Sequence, residues 1–132
     1  MTRMLNHPRF GMLTCTPPDG WENRNFRFGG GDIQLLVQAG SAGPENGHAI
    51  RFTEFEARYA PLVPAITAAL DAYRGSTDQS GHSYVLSTVY LPDPTRGGDL
   101  SVRLWFDDPA EGDMWSGVEI YRWDRIAPFA ED

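Results

Sequence analysis

Hydrophobic and polar residues alternate along most of this chain, with one interruption near its middle. Before the interruption, three short segments alternate with a period of two, which is typical of β-strands that bury one face. Connectors rich in glycine and proline separate them, as expected for the tight turns of a meander. Three further segments follow the same period after the interruption. The pattern predicts six strands, at residues 9–15, 21–28, 32–40, 83–91, 99–106 and 114–126.

The interruption itself predicts a helix. Apolar residues recur there every three or four positions, and Thr53 with Glu56 fits a capping box at the helix start. Gly75 fits its end. Pro61 and Pro64 each remove a backbone N–H from the repeat, so we expect a kink or a break at these positions. The apolar stripe of the helix consists of Phe55, Tyr59, Leu62, Ile66, Leu70 and Tyr73.

These elements predict one α+β domain that spans residues 1–132. Their order is βββ-α-βββ, and two meanders supply an antiparallel sheet of about six strands. The helix packs on one face of this sheet, because its apolar stripe has to be buried against another layer. The opposite face is then left without a helix.

Aromatic residues in the last two predicted strands point to that opposite face. If residues 99–106 and 118–126 pair as a hairpin, one side carries the core residues and the other carries rings and arginines. Tryptophan, tyrosine and arginine are the residues that dominate the energetics of protein interfaces. Sheet curvature or a covering loop would instead turn the same rings into a second, smaller core. The anchors predicted here are Trp105, Tyr121 and Trp123, with Arg103 and Arg125 as their neighbours.

The charge of the chain favours some partners over others. Eighteen acidic residues against eleven basic ones give a formal net charge of −7. Such a surface disfavours binding to nucleic acid, whose phosphates attract basic proteins, and it suits a basic protein partner. Four carboxylates lie close together between the last two strands, and their spacing does not fit a calcium loop. They form a solvated hairpin tip or steer a basic partner; they are Asp107, Asp108, Glu111 and Asp113.

No motif in the sequence indicates a catalytic residue, a cofactor or a metal site. His7, His48 and His82 have no paired spacing typical of metal ligands, and we predict that each is a surface histidine. Cys15 is the single cysteine, so no intramolecular disulfide can form, and its neighbours do not match a nucleophile motif. The glycines at 29–31 precede a strand and not a helix, which excludes a helix-based phosphate loop.

The ends of the chain predict its location. The first residues lack the apolar segment of a signal peptide. No run approaches the roughly 20 apolar residues that cross a bilayer. We therefore expect no membrane association and a cytoplasmic location.

Three stretches resemble a group of small bacterial domains related to the immunity proteins of polymorphic toxins. They are "HPRFGMLT" with the following Trp21, then "GGDIQLLV", and the late "WSGVEIYRWDRI". The resemblance implies a protein that acts without catalysis and occludes a toxin, and it carries no catalytic residues with it.

The sequence therefore favours a protein-binding module, with a basic toxin domain as one possible partner. Two alternatives stay open. The first is a small-ligand-binding domain or enzyme with a pocket between helix and sheet, lined by Tyr59, His82 or Tyr84. The second is a homodimer formed through the aromatic face.

Overall fold

A computed structural model describes residues 3–16, 20–74, 84–95, 98–107 and 115–131. Within them the chain forms one α-helix and an eight-stranded sheet, so the prediction of an α+β fold is confirmed and the number of strands is two higher than predicted. The elements are β1 (Met4–His7), β2 (Gly11–Thr16), β3 (Gly20–Phe28), β4 (Gly31–Gln38), α1 (Asn46–Arg74), β5 (Val85–Leu91), β6 (Leu100–Asp107), β7 (Trp115–Tyr121) and β8 (Arg125–Glu131).

The strands lie side by side in chain order, from β1 at one edge to β8 at the other. Neighbouring strands pair antiparallel, with one exception. Strands β4 and β5 pair parallel, from Gln34 opposite Thr88 to Val37 opposite Leu91. Helix α1 connects these two strands, and a crossover of this kind returns the chain in the same direction. The sheet is therefore mostly antiparallel, and the prediction of an entirely antiparallel sheet is wrong at this pair.

The start of α1 differs from the prediction. The helix begins at Asn46, so Thr53 lies inside it and not at its N-terminal cap. The Thr53 hydroxyl donates a hydrogen bond to the carbonyl of Ala49, 3.0 Å away, as a threonine within a helix often does. The predicted end at Gly75 lies outside the described residues.

Helix α1 also runs unbroken through Pro61 and Pro64. Each proline removes the donor for the carbonyl four residues earlier, which belongs to Ala57 and Ala60 respectively. All four residues are exposed, so water can satisfy both carbonyls. Within the described residues, no helix is both long and apolar enough to cross a bilayer.

One face of the sheet, called the inner face, packs against α1. Its centre is a row of cross-strand neighbours that are 0% exposed, namely Leu35, Val89, Leu104 and Val118. From the helix, the buried hydrophobic residues are Phe52, Phe55, Ile66 and Leu70, whereas Tyr73, predicted as part of the stripe, is 53% exposed. The Phe52 ring meets Phe10 and Phe26 edge-on, at 5.7 and 5.3 Å between centroids, which ties the β1–β2 turn and β3 to the helix.

Candidate functional site

The side of the sheet opposite the inner face is called the outer face. Two rows of cross-strand neighbours run across it. The first consists of Glu22, Leu36, Tyr90, Arg103, Glu119 and Ala127, and the second of Gln34, Thr88, Trp105, Gly117 and Phe129. Except for the small residues Thr88 and Gly117, every one of them keeps part of its surface in solvent. The outer face is therefore open where the inner face is sealed.

Three side chains of β6 and β8 pack together near one end of these rows, and they are called the aromatic cluster: Arg103, Trp105 and Phe129. The Trp105 and Phe129 rings meet edge to face, with centroids 5.8 Å apart. The Arg103 guanidinium lies 4.7 Å from the Trp105 ring centre and 4.2 Å from the Phe129 ring centre. Both distances are within the range of cation–π attraction. The cluster is thus an ordered, partly exposed surface and not a set of loose side chains.

Gly117 forms the base of this cluster on the central strand β7. A Cβ atom there would collide with the Phe129 ring and would lie 2.7 Å from the carbonyl oxygen of Leu104. Real Cβ atoms do not approach backbone oxygens so closely. The absence of a side chain at Gly117 is what lets the Phe129 ring occupy this space and reach Trp105.

Tyr121 and Arg125 extend the outer face next to the aromatic cluster. They are cross-strand partners at the end of β7 and the start of β8. The Tyr121 hydroxyl donates to Oε1 of Glu119 over 3.1 Å, and the Arg125 guanidinium lies 4.4 Å from the ring centre. Partial desolvation, followed by the hydrogen bond to Glu119, raises the pKa of Tyr121, so the hydroxyl stays protonated at neutral pH. Arg103 lies on the other side of Glu119, with its Nε 3.8 Å from Oε2.

The structure brings four of the five residues predicted for the aromatic face, namely two of the three anchors and both neighbouring arginines, to one face, and it separates the fifth, Trp123. Strand β7 ends at Tyr121, and the chain turns through Arg122 and Trp123, with φ angles of 53° and 62°. The sequence pattern predicts one strand over residues 114–126, in which Trp123 shares the side of Tyr121. That interpretation is wrong, because the turn breaks the alternation.

Trp123 points toward the helix. Its indole N–H donates to Oε2 of Glu54 over 3.1 Å, and the Arg58 guanidinium lies 5.7 Å from the ring centre. The ring also packs against the edge of the core. Trp123 therefore fastens the β7–β8 turn to α1, and it is not part of the outer face.

Phe129 takes the place that the sequence interpretation gave to Trp123. The sequence pattern does not predict Phe129 on this face, because the neighbouring Pro128 disfavours a strand. Pro128 is tolerated since, among the strands that the structure describes, β8 is at the edge and pairs with β7 alone. The signal that could have found it is the alternation of Arg125, Ala127 and Phe129, which mirrors the outward positions of β7.

Of the predicted acidic loop, the structure describes only its first residue. Asp107 ends β6 and is exposed at the rim of the outer face. Asp108, Glu111 and Asp113 lie outside the described residues.

One of the three histidines is placed differently from the prediction. His48 is buried, with 3% of its surface exposed, so the surface assignment is wrong for it. Its Nδ1 accepts the N–H of Glu45 at 3.0 Å, which leaves the proton on Nε2 to donate to the carbonyl of Gln38 at 2.8 Å. Both ring nitrogens are occupied by backbone, so His48 holds the loop before α1 in place and offers no free base. His82 lies outside the described residues.

His7 is likewise bound to backbone. Its Nδ1 accepts the N–H groups of Arg9 and Phe10 at 3.0 and 3.3 Å. Burial, with a smaller opposing effect of its backbone hydrogen bond to Pro44, lowers the pKa of His7. Within the described ranges, no group of three or more histidine, cysteine, aspartate or glutamate side chains is arranged to hold a metal ion.

Tyr59 and Tyr84, which were considered as pocket residues, both line a cleft of about 350 Å³ between α1 and the sheet. This cleft is separate from the outer face, because Tyr59 belongs to the helix that packs on the inner face. The structure therefore contains two candidate binding regions, an open aromatic face and a small cleft.

The chain matches no family model, and comparisons with curated proteins and with solved structures gave no significant match. A function for it has to be argued from the two regions themselves.

Proposed function

We propose that this protein binds another protein through the outer face of its sheet. The observation that carries the proposal is the aromatic cluster of Arg103, Trp105 and Phe129, partly exposed on a face that is otherwise open. Tryptophan and arginine are the side chains that most often dominate the binding energy of an interface. In the bound state, a partner buries the Trp105 ring completely.

The packing within the cluster supports this role. Binding costs free energy when flexible side chains have to be ordered, about 0.5–1.5 kcal/mol for each one. The Trp105 ring is already held by Phe129 and by the Arg103 guanidinium, and Phe129 is held against Gly117. A partner therefore meets a surface whose shape is largely set before contact.

Charge favours a basic partner. The chain carries a net charge of −7, and Asp107 is exposed at the rim beside the aromatic cluster. Acidic residues at an interface rim raise the association rate of a basic protein more than they raise the final affinity. Together with the resemblance to immunity proteins, this acidic charge favours a cytoplasmic binding protein that covers the functional surface of a basic toxin domain.

The experiment is a calorimetric titration of the purified protein with the product of the neighbouring gene. Trp105→Ala is expected to weaken binding by roughly 30-fold or more, because an interface anchor contributes about 2 kcal/mol or more. The matched control is Tyr73→Ala, which removes an aromatic ring that is 53% exposed on α1, away from the outer face. Tyr73→Ala is expected to leave the affinity unchanged.

Equal affinities of the Trp105→Ala variant and the parent would refute the outer face as the binding surface. Light scattering of the protein alone separates this proposal from a homodimer. A dimer that Trp105→Ala dissociates would show that the face binds a second copy of the chain and not a different protein.

A further inference from the structure

The cleft between α1 and the sheet has a distinct chemical character. Three aromatic side chains line it, Phe28 from the end of β3, Tyr59 from α1 and Tyr84 from the residue before β5. Asp32, near the start of β4, adds a carboxylate to the same lining. Its volume of about 350 Å³ is at the lower end of the range for small-molecule sites.

The three rings are held in position by the fold. Phe28 stacks on the buried Phe55, with centroids 5.3 Å apart, and it meets Tyr59 edge-on at 5.6 Å. The hydroxyl of Tyr84 donates to Oδ1 of Asp71, 2.7 Å away, on the C-terminal part of α1. The rings therefore form fixed walls, and a ligand need not order them.

The electrostatics of the lining favour a cation. Among the described residues that line the cleft, Asp32 is charged and none is basic. Arg27 is the neighbouring cation, with Nη1 3.8 Å from Oδ1 of Asp32, but its side chain is 76% exposed, so this ion pair is weak and readily exchanged. The hydrogen bond from Tyr84 to a buried carboxylate also polarises the phenol and makes its ring face more negative.

Tyr59 completes the arrangement. In the part of the chain that the structure describes, its hydroxyl has no hydrogen-bond partner, although the side chain is partly buried. Burial raises the pKa of Tyr59, so the hydroxyl stays protonated and uncharged at neutral pH. A polar atom is thus available to a ligand at the cleft wall.

We propose that this cleft binds a small organic ammonium ion, with its cationic nitrogen against the ring faces and near the Asp32 carboxylate. Cations of this kind are recognised by sets of aromatic rings, because the negative face of each ring attracts positive charge without competing strongly with water. An anion would be repelled by Asp32. A neutral apolar ligand would gain the contacts with the rings but nothing from the carboxylate.

The test compares two probes of the same shape and different charge, choline and 3,3-dimethylbutan-1-ol, by NMR titration of the full chain. Choline is expected to bind saturably and at least about fivefold more tightly than the neutral alcohol. Asp32→Asn should weaken choline binding several-fold and leave the binding of the alcohol unchanged. Tyr59→Leu, which keeps an apolar side chain but removes the ring, should weaken choline more than the alcohol.

Asp99→Asn is the control for Asp32→Asn, since it removes an exposed carboxylate that pairs with an arginine, Arg122, outside the cleft, and it should not change the affinity for choline. The amide spectrum of each variant reports whether it is folded. Absence of saturable choline binding to the folded parent, equal affinity for both probes, or an equal effect of the two Asp→Asn changes would each overturn the proposal. None of these results bears on the outer face, so the two proposals fail independently.

Discussion

The inner and outer faces of the sheet are built by the same strands and differ in what covers them. On the inner face, Leu104 and its neighbours Val89 and Val118 are fully buried under α1. One residue further along β6, Trp105 points the other way and stays partly exposed, although Phe129 and Arg103 pack against it. Alternation along a strand therefore decides which residues share a face, but the second layer decides whether those residues form a core or a surface.

The largest expected effect compares the two faces directly. Leu104→Ala should lower the free energy of unfolding by about 2–5 kcal/mol, because it leaves a cavity among fully buried side chains. Trp105→Ala should cost roughly 1 kcal/mol, since its ring is partly exposed and the change removes its contacts with Phe129 and Arg103. Urea denaturation of both variants measures the difference. If Trp105→Ala costs as much as Leu104→Ala, the outer face is a second core and its role in binding is refuted.

An intermediate effect is expected at Gly117, where the outer face packs most closely. Gly117→Ala should destabilise the protein by about 1–3 kcal/mol, because the new methyl group collides with the Phe129 ring and with the Leu104 carbonyl. Phe129→Ala removes the first collision, so the double variant should lose less stability than the sum of the two single variants. Urea denaturation of all three variants tests this. Additive losses would show that Phe129 does not rest on Gly117.

The smallest expected effect concerns His7, at the rim of the inner face, where it stacks on the fully buried Phe10 with ring centroids 4.8 Å apart. Its folded-state pKa is lowered mainly by burial, so the unfolded chain binds a proton more readily. The stability contributed by neutral His7 is present above about pH 6.5 and is lost as the pH falls through the lowered folded-state pKa.

The measurement for His7 is the free energy of unfolding between pH 7.5 and pH 5.5 for the parent and for His7→Asn. An asparagine oxygen can accept the same backbone N–H groups but does not titrate. The parent should lose stability more steeply than His7→Asn as the pH falls. Parallel slopes would mean that His7 titrates equally in the folded and unfolded states.

The sequence allowed the inner face to be predicted well. Alternation in β4 and β6 identified the buried hydrophobic residues of those strands, and the three-to-four spacing in α1 identified three of its four, because these patterns reflect local geometry that does not depend on pairing. Four of the residues predicted for the opposite side, Arg103, Trp105, Tyr121 and Arg125, do lie on the outer face.

The errors have a common physical cause. Positive φ angles usually call for glycine, asparagine or aspartate, yet the turn after β7 places Arg122 and Trp123 there. No residue type typical of such a turn occurs at these two positions, so the local sequence does not predict the turn. It is accompanied by a hydrogen bond to Glu54, a residue far away in sequence. The parallel pairing of β4 with β5 is equally non-local, so residue patterns could not reveal it.

Because of the crossover through α1, the entropic cost of closing a loop differs between the strand pairings. Within the described residues, six of the seven strand pairings join strands that follow each other directly, and each of these closes a short segment. The β4–β5 ladder alone encloses the whole helix. The entropic cost of closing a loop grows with the length of chain enclosed, so forming the β4–β5 ladder carries the largest part of that cost. This ladder joins two four-stranded halves, and within each half the described strands pair only with their neighbours along the chain.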